Sequence, residues 1–437
     1  MDMKIGCVLF LVVILTVVLV ASTPVPKVAA APYPIIYIKA DGSIEPATAH
    51  ITSFDNITYT FTADINASIV IEKNNTVVDG AGYTLQGPGS GTGIDLHDRN
   101  NVTLQNIEVT NFELGIWLSS SSYNTITGNI ASNINNGIWL SSSSYNTITG
   151  NTASNSYTGI NLFGSSYNNT IAGNTASNNS YGISSSLSSY NTITGNIASS
   201  NSEVGINLYA SSNSNTITGN TISSNSEYGI WIYSSSNNVF FHNNLLDNAN
   251  NVEVSSANSN VFDNGLEGNY WSNYTGVDVN QDGIGDTPHA IDANNTDHYP
   301  LMGMFHSFNT SLGKSINVIS NSSVSGFTYE SPGTIRFHVS NKTANQTHGF
   351  CRVSVPYEVL SDLFNVTIDG ANPPYWNYTL YDNGTHQWIY FEYEHSTKEV
   401  VIIPEFPFFV ILPMFMLVSL LIALSCKGKK RKVRLYN

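Results

Sequence analysis

Through the middle of the chain, apolar and polar residues alternate over very short runs, and the runs recur at a fixed step. Asn-Thr-Ile-Thr-Gly-Asn begins at Asn124, Asn146, Asn191 and Asn215, with Asn-Thr-Ile-Ala-Gly-Asn at Asn169, a step of 22 to 24 residues. Between these blocks fall Gly115-Ile-Trp-Leu, Gly137-Ile-Trp-Leu, Gly159-Ile-Asn-Leu, Gly205-Ile-Asn-Leu and Gly229-Ile-Trp-Ile. Gly93-Ile-Asp-Leu and Asn238-Val-Phe-Phe extend the series at either end, and Gly182-Ile-Ser-Ser is a degenerate copy. Self-similarity at one period predicts a solenoid. The repeats are mostly Asn, Ser, Thr, Ile and Gly, which form helices poorly. In Ile138-Trp139-Leu140, strand geometry puts Ile138 and Leu140 on one face and Trp139 on the other. About 22 residues is one coil of three short strands and three turns, with coils stacked by parallel pairing at ~4.8 Å.

Equal periods put like residues above like. Ile126, Ile148, Ile171, Ile193, Ile217 and Phe240 form one expected inward column, and Leu118, Leu140, Leu162, Leu208 and Ile232 another. Asn129, Asn151, Asn174, Asn196 and Asn220 form a third column at a corner, where stacked amides bond along the axis and satisfy turn backbone.

After about Phe305 the repeats stop. Short alternating runs at Ile316, Thr334, Cys351, Phe364, Trp388 and Val400, separated by turns such as Asp369-Gly370 and Asn383-Gly384, predict a small β-sandwich. At the amino terminus, the apolar run Ile5 to Ala21 behind Lys4 reads as a secretory signal. At the other end, Phe408 to Cys426 is uncharged and long enough to span a bilayer. Six basic residues between Lys427 and Arg434 follow it, so the tail is expected in the cytoplasm and the bulk outside. The fold class is thus all-β: a parallel β-helix, a β-sandwich and one carboxy-terminal transmembrane helix. The expected boundaries are 1–30 for the signal, 31–304 for the solenoid, 305–402 for a sandwich stalk and 403–437 for the membrane segment and tail.

The pattern resembles the right-handed parallel β-helix repeat family, and within it the NosD-like surface and periplasmic proteins, over roughly residues 35 to 302. Ile38 to Glu45 and Val78 to Gln86 look like that family's first coil. Gly268-Asn-Tyr-Trp-Ser-Asn, Asp282-Gly-Ile-Gly-Asp-Thr-Pro and Tyr299-Pro-Leu-Met look like its terminal segment. Ile403-Pro404-Glu405-Phe406-Pro407 is similar to the PEF-type sorting signal of archaeal surface proteins, which implies processing by an archaeosortase.

Charge narrows the partners. With the tail set aside, ten basic residues face 31 acidic ones, and no Lys or Arg occurs between Arg99 and Lys314. Nucleic acid, whose phosphates need cations, is therefore not an expected partner. Uronate polymers are disfavoured too, since the β-helix pectate lyases that the fold resembles use basic residues. Of three cysteines only Cys351 lies in the expected exterior, so no internal disulfide is available. Fifteen Asn-x-Ser/Thr sequons, from Asn56 to Asn383, would suit a glycoprotein coat.

Four sites carry candidate chemistry. Asp278, Asn280, Asp282, Ile284 (by its carbonyl) and Asp286, around Gly283, have the spacing of a calcium loop, with His289 where an EF-hand has Glu and Asp292 available to complete the shell. Second, Asp95, Trp117, Trp139, Asn161, Ser184, Asn207 and Trp231 form an outward ladder. Ser119, Ser141, Phe163, Tyr209 and Tyr233 lie two residues further along each strand. Aromatic faces beside amides and hydroxyls suit sugar rings, although stacked aromatics also stiffen a sheet. Third, Glu203 and Glu227 precede repeat glycines by two residues and should stack ~5 Å apart, a separation that suits a retaining glycosidase pair or merely two solvated turn residues. The paired aspartates of β-helix polygalacturonases are missing from the coils. Fourth, the resemblance to NosD implies copper, and His298, Met302, Met304 and His306, with His289 nearby, supply imidazole and thioether groups.

The expected function is non-catalytic: a secreted, membrane-tethered, acidic surface protein that presents a repetitive face to extracellular carbohydrate or cell-envelope proteins. Glycan cleavage is the first alternative and copper delivery the second.

Overall fold

Parallel pairing of equivalent residues in successive repeats builds the molecule. A computed structural model describes residues 33–256, 259–331, 333–360, 364–404 and 416–424, and from Ile35 onward they belong to one compact unit. Short strands form three long sheets, of eleven, nine and ten strands, so each coil contributes once to each sheet. The six-residue strands from Thr92–His97 to Asn250–Ser255 make the first sheet in exact repeat register, with Trp117 on Trp139, Trp139 on Asn161 and Asn161 on Ser184. Three-residue strands such as Thr147–Thr149 and Thr152–Ser154 make the other two. Antiparallel pairs at Ile35–Ile38 with Ile44–Glu45 and at Ile51–Thr52 with Thr58–Phe61 close the amino-terminal end.

Both expected inward columns are fully buried, from Ile126 to Phe240 and from Leu118 to Ile232. Ser185 breaks the second, between Leu162 and Leu208, at 0% exposure.

Corner side chains bind the coils together. Asn151 shows the pattern: its backbone N–H donates to Asn174 Oδ1 (2.9 Å), and its Nδ2 donates to Asn174 Oδ1 (2.9 Å) and Ile126 O (2.8 Å). The same column runs through Asn243 to Asn269 and stops at Asp297, whose Oδ2 accepts from Asn269 N (2.8 Å). A second corner column runs from Asn124 to Asn238, then Asn260 and Asn295, and stops at Asp292. A third starts at Ser156 and continues through Asn179, Asn201 and Asn225 to Asn248. The corner backbone N–H donates to the coil after it, so the last layer needs an acceptor: a carboxylate in the first two columns, and in the third the side-chain oxygen of Asn248, whose Nδ2 donates to Asn251 Oδ1 (3.2 Å).

The sandwich begins at Met304–Asn309 and pairs a five-stranded with a four-stranded antiparallel sheet around Val318, Phe337, Val353, Phe391 and Val400. All six expected strands are present. Three more flank them: Met304–Asn309, Ser323–Glu330 and Tyr375–Asp382. Each lies at a sheet edge, and the last two carry register shifts, so their alternation is blurred.

A buried charge network docks the sandwich on the last coils. Glu267 Oε1 accepts from Arg352 Nε (2.7 Å) and Trp388 Nε1 (2.9 Å), while Oε2 meets His242 Nε2 (2.8 Å). His242 also stacks on Phe305 (4.0 Å), and Ile284, Leu301, Ile319, Phe350 and Tyr390 pack alongside. Burial opposes ionisation of Glu267, but His242 and Arg352 outweigh it and push the carboxyl down to about 2 from 4.5.

The expected signal segment, residues 405–407 of the PEF-like sequence and the basic tail lie outside the described residues, while Ile403 and Pro404 end the strand Lys398–Pro404. Of the expected span, residues 416–424 are described and helical. Among the described residues no helix is long and apolar enough to cross a membrane.

Two predictions follow from the packing. Asn174→Ala orphans the buried Asn151 N–H and Ile148 carbonyl and should lower unfolding free energy in urea by about 2–4 kcal/mol. Asn135→Ala, at an exposed position, should change it by less than about 0.5 kcal/mol. Glu267→Gln should destabilise most above pH 4.5, where the carboxyl is ionised in the folded and the unfolded chain alike. Because the folded pKa is the depressed one, that difference from the unsubstituted protein should shrink as pH falls from 4.5 through about 2, read by denaturation across that range.

Candidate functional site

The outward face of the long-strand sheet carries the expected ladder in its expected order, and Glu253 continues it beyond Trp231. Its first part is closed on itself. Trp117 and Trp139 are half-buried with ring centroids 6.3 Å apart, His97 lies 6.1 Å before Trp117, and Phe163 meets Trp139 edge-on at 6.4 Å. Tyr209 and Tyr233 stack at 5.1 Å further along.

Between these two aromatic groups the ladder is interrupted. The degenerate coil places Ser184 and Ser186 where its neighbours place larger side chains. The result is a notch of about 370 Å³. Its lining comes from successive coils: Tyr157 and Phe163 before Ser184, Tyr181 on the same coil as Ser184, and Tyr209 and Trp231 after it, with Asn161, Ser184 and Asn207 among them. Asn161 Nδ2 donates to Asn136 Oδ1 (3.1 Å), and Asn207 Nδ2 donates to Ser184 Oγ (3.2 Å). Asn207 is 8% exposed and its Oδ1 has no hydrogen-bond partner.

Of the sequence candidates, Asn161, Phe163, Asn207, Tyr209 and Trp231 line this notch; Asp95, Trp117, Trp139 and Tyr233 do not. Tyr157 and Tyr181 were not among the candidates. They pack edge-on at 5.5 Å, and the available signal was the tyrosine just before or near a repeat glycine, as at Tyr181-Gly182 and Tyr228-Gly229. Glu203 and Glu227 are on adjacent coils, with Glu227 N donating to Glu203 O (3.1 Å). Burial, then the Glu203 carboxylate hydrogen-bonded to it, raise the Tyr181 hydroxyl above its ordinary value, which puts Glu203 at the rim.

The calcium-like loop has a different structural logic. Asp278 accepts from Asp282 N (3.0 Å) and Gly283 N (2.8 Å), Asp282 from Ile284 N (2.7 Å), and Asp286 from Val279 N (2.6 Å). The loop then meets the sandwich: Arg352 donates to Asp282 O (2.8 Å), and Gln281 Nε2 to Glu392 (3.1 Å). At Gly283, φ is +83° and a Cβ would press on Arg352 and Phe350. Asp292, assigned above to the shell, is the end of an amide column instead. The acidic side chains thus brace a turn that contacts the sandwich, and Asn280 donates to Asp282 (3.3 Å).

The residues expected to hold copper have other partners. His298 pairs with Asp263 (3.0 Å), His289 packs on Trp271 (4.5 Å), and Met302 packs in the sandwich junction. His306 stacks on Phe308, and burial, with Lys342 nearby, pushes its imidazole down to about 4. Among the described residues no three His, Cys, Asp or Glu side chains gather to hold a metal.

A family model described as periplasmic copper-binding protein (NosD) matches residues 68–276. That segment has no Cys or Met and two histidines, His97 beside Asp98 and the buried His242 on Glu267, so these residues do not fit a copper centre. No curated protein matches the chain. Among solved structures it is similar to the periplasmic alginate epimerase AlgG, at 17% identity over 53% of this chain and 70% of that one (TM-score 0.33). It is similar also to the A-module of Azotobacter vinelandii mannuronan C-5 epimerase AlgE4, at 17% over 50% and 68% (TM-score 0.35). A third is DFA-IIIase from Arthrobacter chlorophenolicus A6 in complex with GF2, at 13% over 48% and 56% (TM-score 0.33). Likenesses this slight carry no argument about what this chain does.

The loop chemistry gives a test. Asp278→Ala should lower the melting temperature equally in calcium and in chelator, measured by calorimetry; a loss confined to calcium would restore the metal assignment.

Proposed function

We propose that this is a non-catalytic cell-surface β-helix protein that holds extracellular carbohydrate on its aromatic sheet face. The observation that carries the reading is the notch at Ser184: an open recess lined by aromatic side chains, amides and a hydroxyl. Sugars offer apolar C–H faces and peripheral hydroxyls, and such a recess matches both. The signal-like amino terminus, the apolar carboxy-terminal run and the basic tail support secretion and tethering, with the solenoid outside.

A second reading, glycan cleavage, is supported by the position of Glu203 on Tyr181 with Glu227 on the next coil. A polysaccharide screen separates the two. A binder retains glycan without generating new reducing ends; release that disappears in Glu203→Gln would select the hydrolase.

For the binding reading, Trp231→Ala and Tyr209→Ala should each weaken glycan retention about tenfold, the value of one stacked aromatic at ~1.4 kcal/mol. Trp139→Ala, outside the notch, should weaken it less. Affinity electrophoresis in glycan-loaded gels reads all three.

A further inference from the structure

The notch exists because one repeat departs from the others, outside and inside. Outside, Ser184 and Ser186 stand where the coil before has Asn161 and Phe163 and the coil after has Asn207 and Tyr209. Inside, Ser185 replaces the leucine of the buried column, and its hydroxyl is satisfied by Ser188 O (3.1 Å). A polar residue in an otherwise leucine column brings no packing benefit. What the departure creates is a gap one layer thick.

That thickness matches a ring. The strands carrying Phe163 and Tyr209 are two layers apart, ~9.6 Å at the spacing of paired strands. A guest ring midway would lie ~4.8 Å from each, within the range of stacked rings. The guest completes the ladder where the side chain is missing.

The polar groups restrict the guest's charge. Asn207 Oδ1 is buried without a partner and Asn207 Nδ2 donates to Ser184 Oγ (3.2 Å), so the amides and hydroxyls of the notch offer a carboxylate no balancing charge. Glu203 faces Tyr181 at the rim, Glu227 follows on the next coil, and Glu253 and Asp95 bracket the ladder. From Arg99 to Lys314 the chain has no Lys or Arg to neutralise an anion.

We infer that the notch is a subsite for one uncharged pyranose ring of a neutral glycan, and that it refuses uronate polymers. The inference rests on the carbohydrate-binding reading above. The test uses the full chain with neutral polymers (glucan, mannan, galactan) and uronate polymers (alginate, polygalacturonate) in affinity gels at low salt. A neutral polymer should be retained at least tenfold more tightly than either uronate. Ser184→Trp, which installs the residue used at Trp139 and Trp231, should cut that retention tenfold or more with the melting temperature unchanged or raised. Glu203→Gln should improve uronate retention. Retention of a uronate as tight as that of the best neutral polymer overturns the charge selection alone. Undiminished retention by a folded Ser184→Trp protein overturns the subsite. Failure to retain any polymer overturns the binding reading itself, and this proposal with it.

Discussion

Everything in the solenoid depends on the hydrogen bond that a corner amide makes to the coil after it. At each turn the backbone leaves the sheet, and its buried N–H and C=O groups would be unpaired. An asparagine at the corner accepts from the backbone N–H and the side-chain amide of the preceding coil and donates back to a carbonyl there, as Asn174 does for Asn151 and Ile148. This ties the register of one layer to that of the next, so residues at equal phase become vertical neighbours. Inward isoleucine columns, outward ladders and paired turn residues are consequences of that tie.

The amide columns also have a direction, which explains the end of the solenoid. The corner backbone N–H donates toward the carboxy-terminal coil while Nδ2 also reaches back, and in two of the three columns the last amide meets a carboxylate acceptor. Asp297 and Asp292 supply it, and both belong to a segment that no longer repeats. The same segment presents Glu267 and the 278–286 turn to the sandwich, which covers part of the solenoid's end. Ending the ladders and docking the next domain are thus done by one stretch of about forty residues, and its aspartate-rich composition follows from both tasks.

This division shows what could be read from the sequence. The inward columns were legible because strand side chains alternate with period two and the repeat is nearly constant. The Asn129 column was legible for the same reason; the Asn124 and Ser156–Asn179 columns were not, since the latter changes residue type and the former adjoins a row of serines. Six sandwich strands were legible, the edge strand Phe364–Ile368 among them; the three that were not all lie at sheet edges, and two of these carry register shifts. The loop at Asp278 was legible as a turn of acidic side chains at alternating positions, a spacing that serves a self-bonded turn as well as a metal. The aromatic ladder was legible as a line of positions, but which part of it stays open depends on how neighbouring rings pack, and spacing does not carry that.

Large rings on consecutive layers satisfy one another. Trp117 and Trp139 each bury much of their surface on their neighbours, so little apolar area remains there for a ligand to cover. A periodic aromatic ladder gains binding capacity where a layer is removed, because two faces are then left looking at each other across a gap of one ring. In a repeat protein whose stability comes from uniformity, a local breach that also costs a core leucine is the place where consistency has been given up. The interruption at Ser184 to Ser186 fits that description inside and out, and the irregular copy is therefore more informative about function than the regular ones around it.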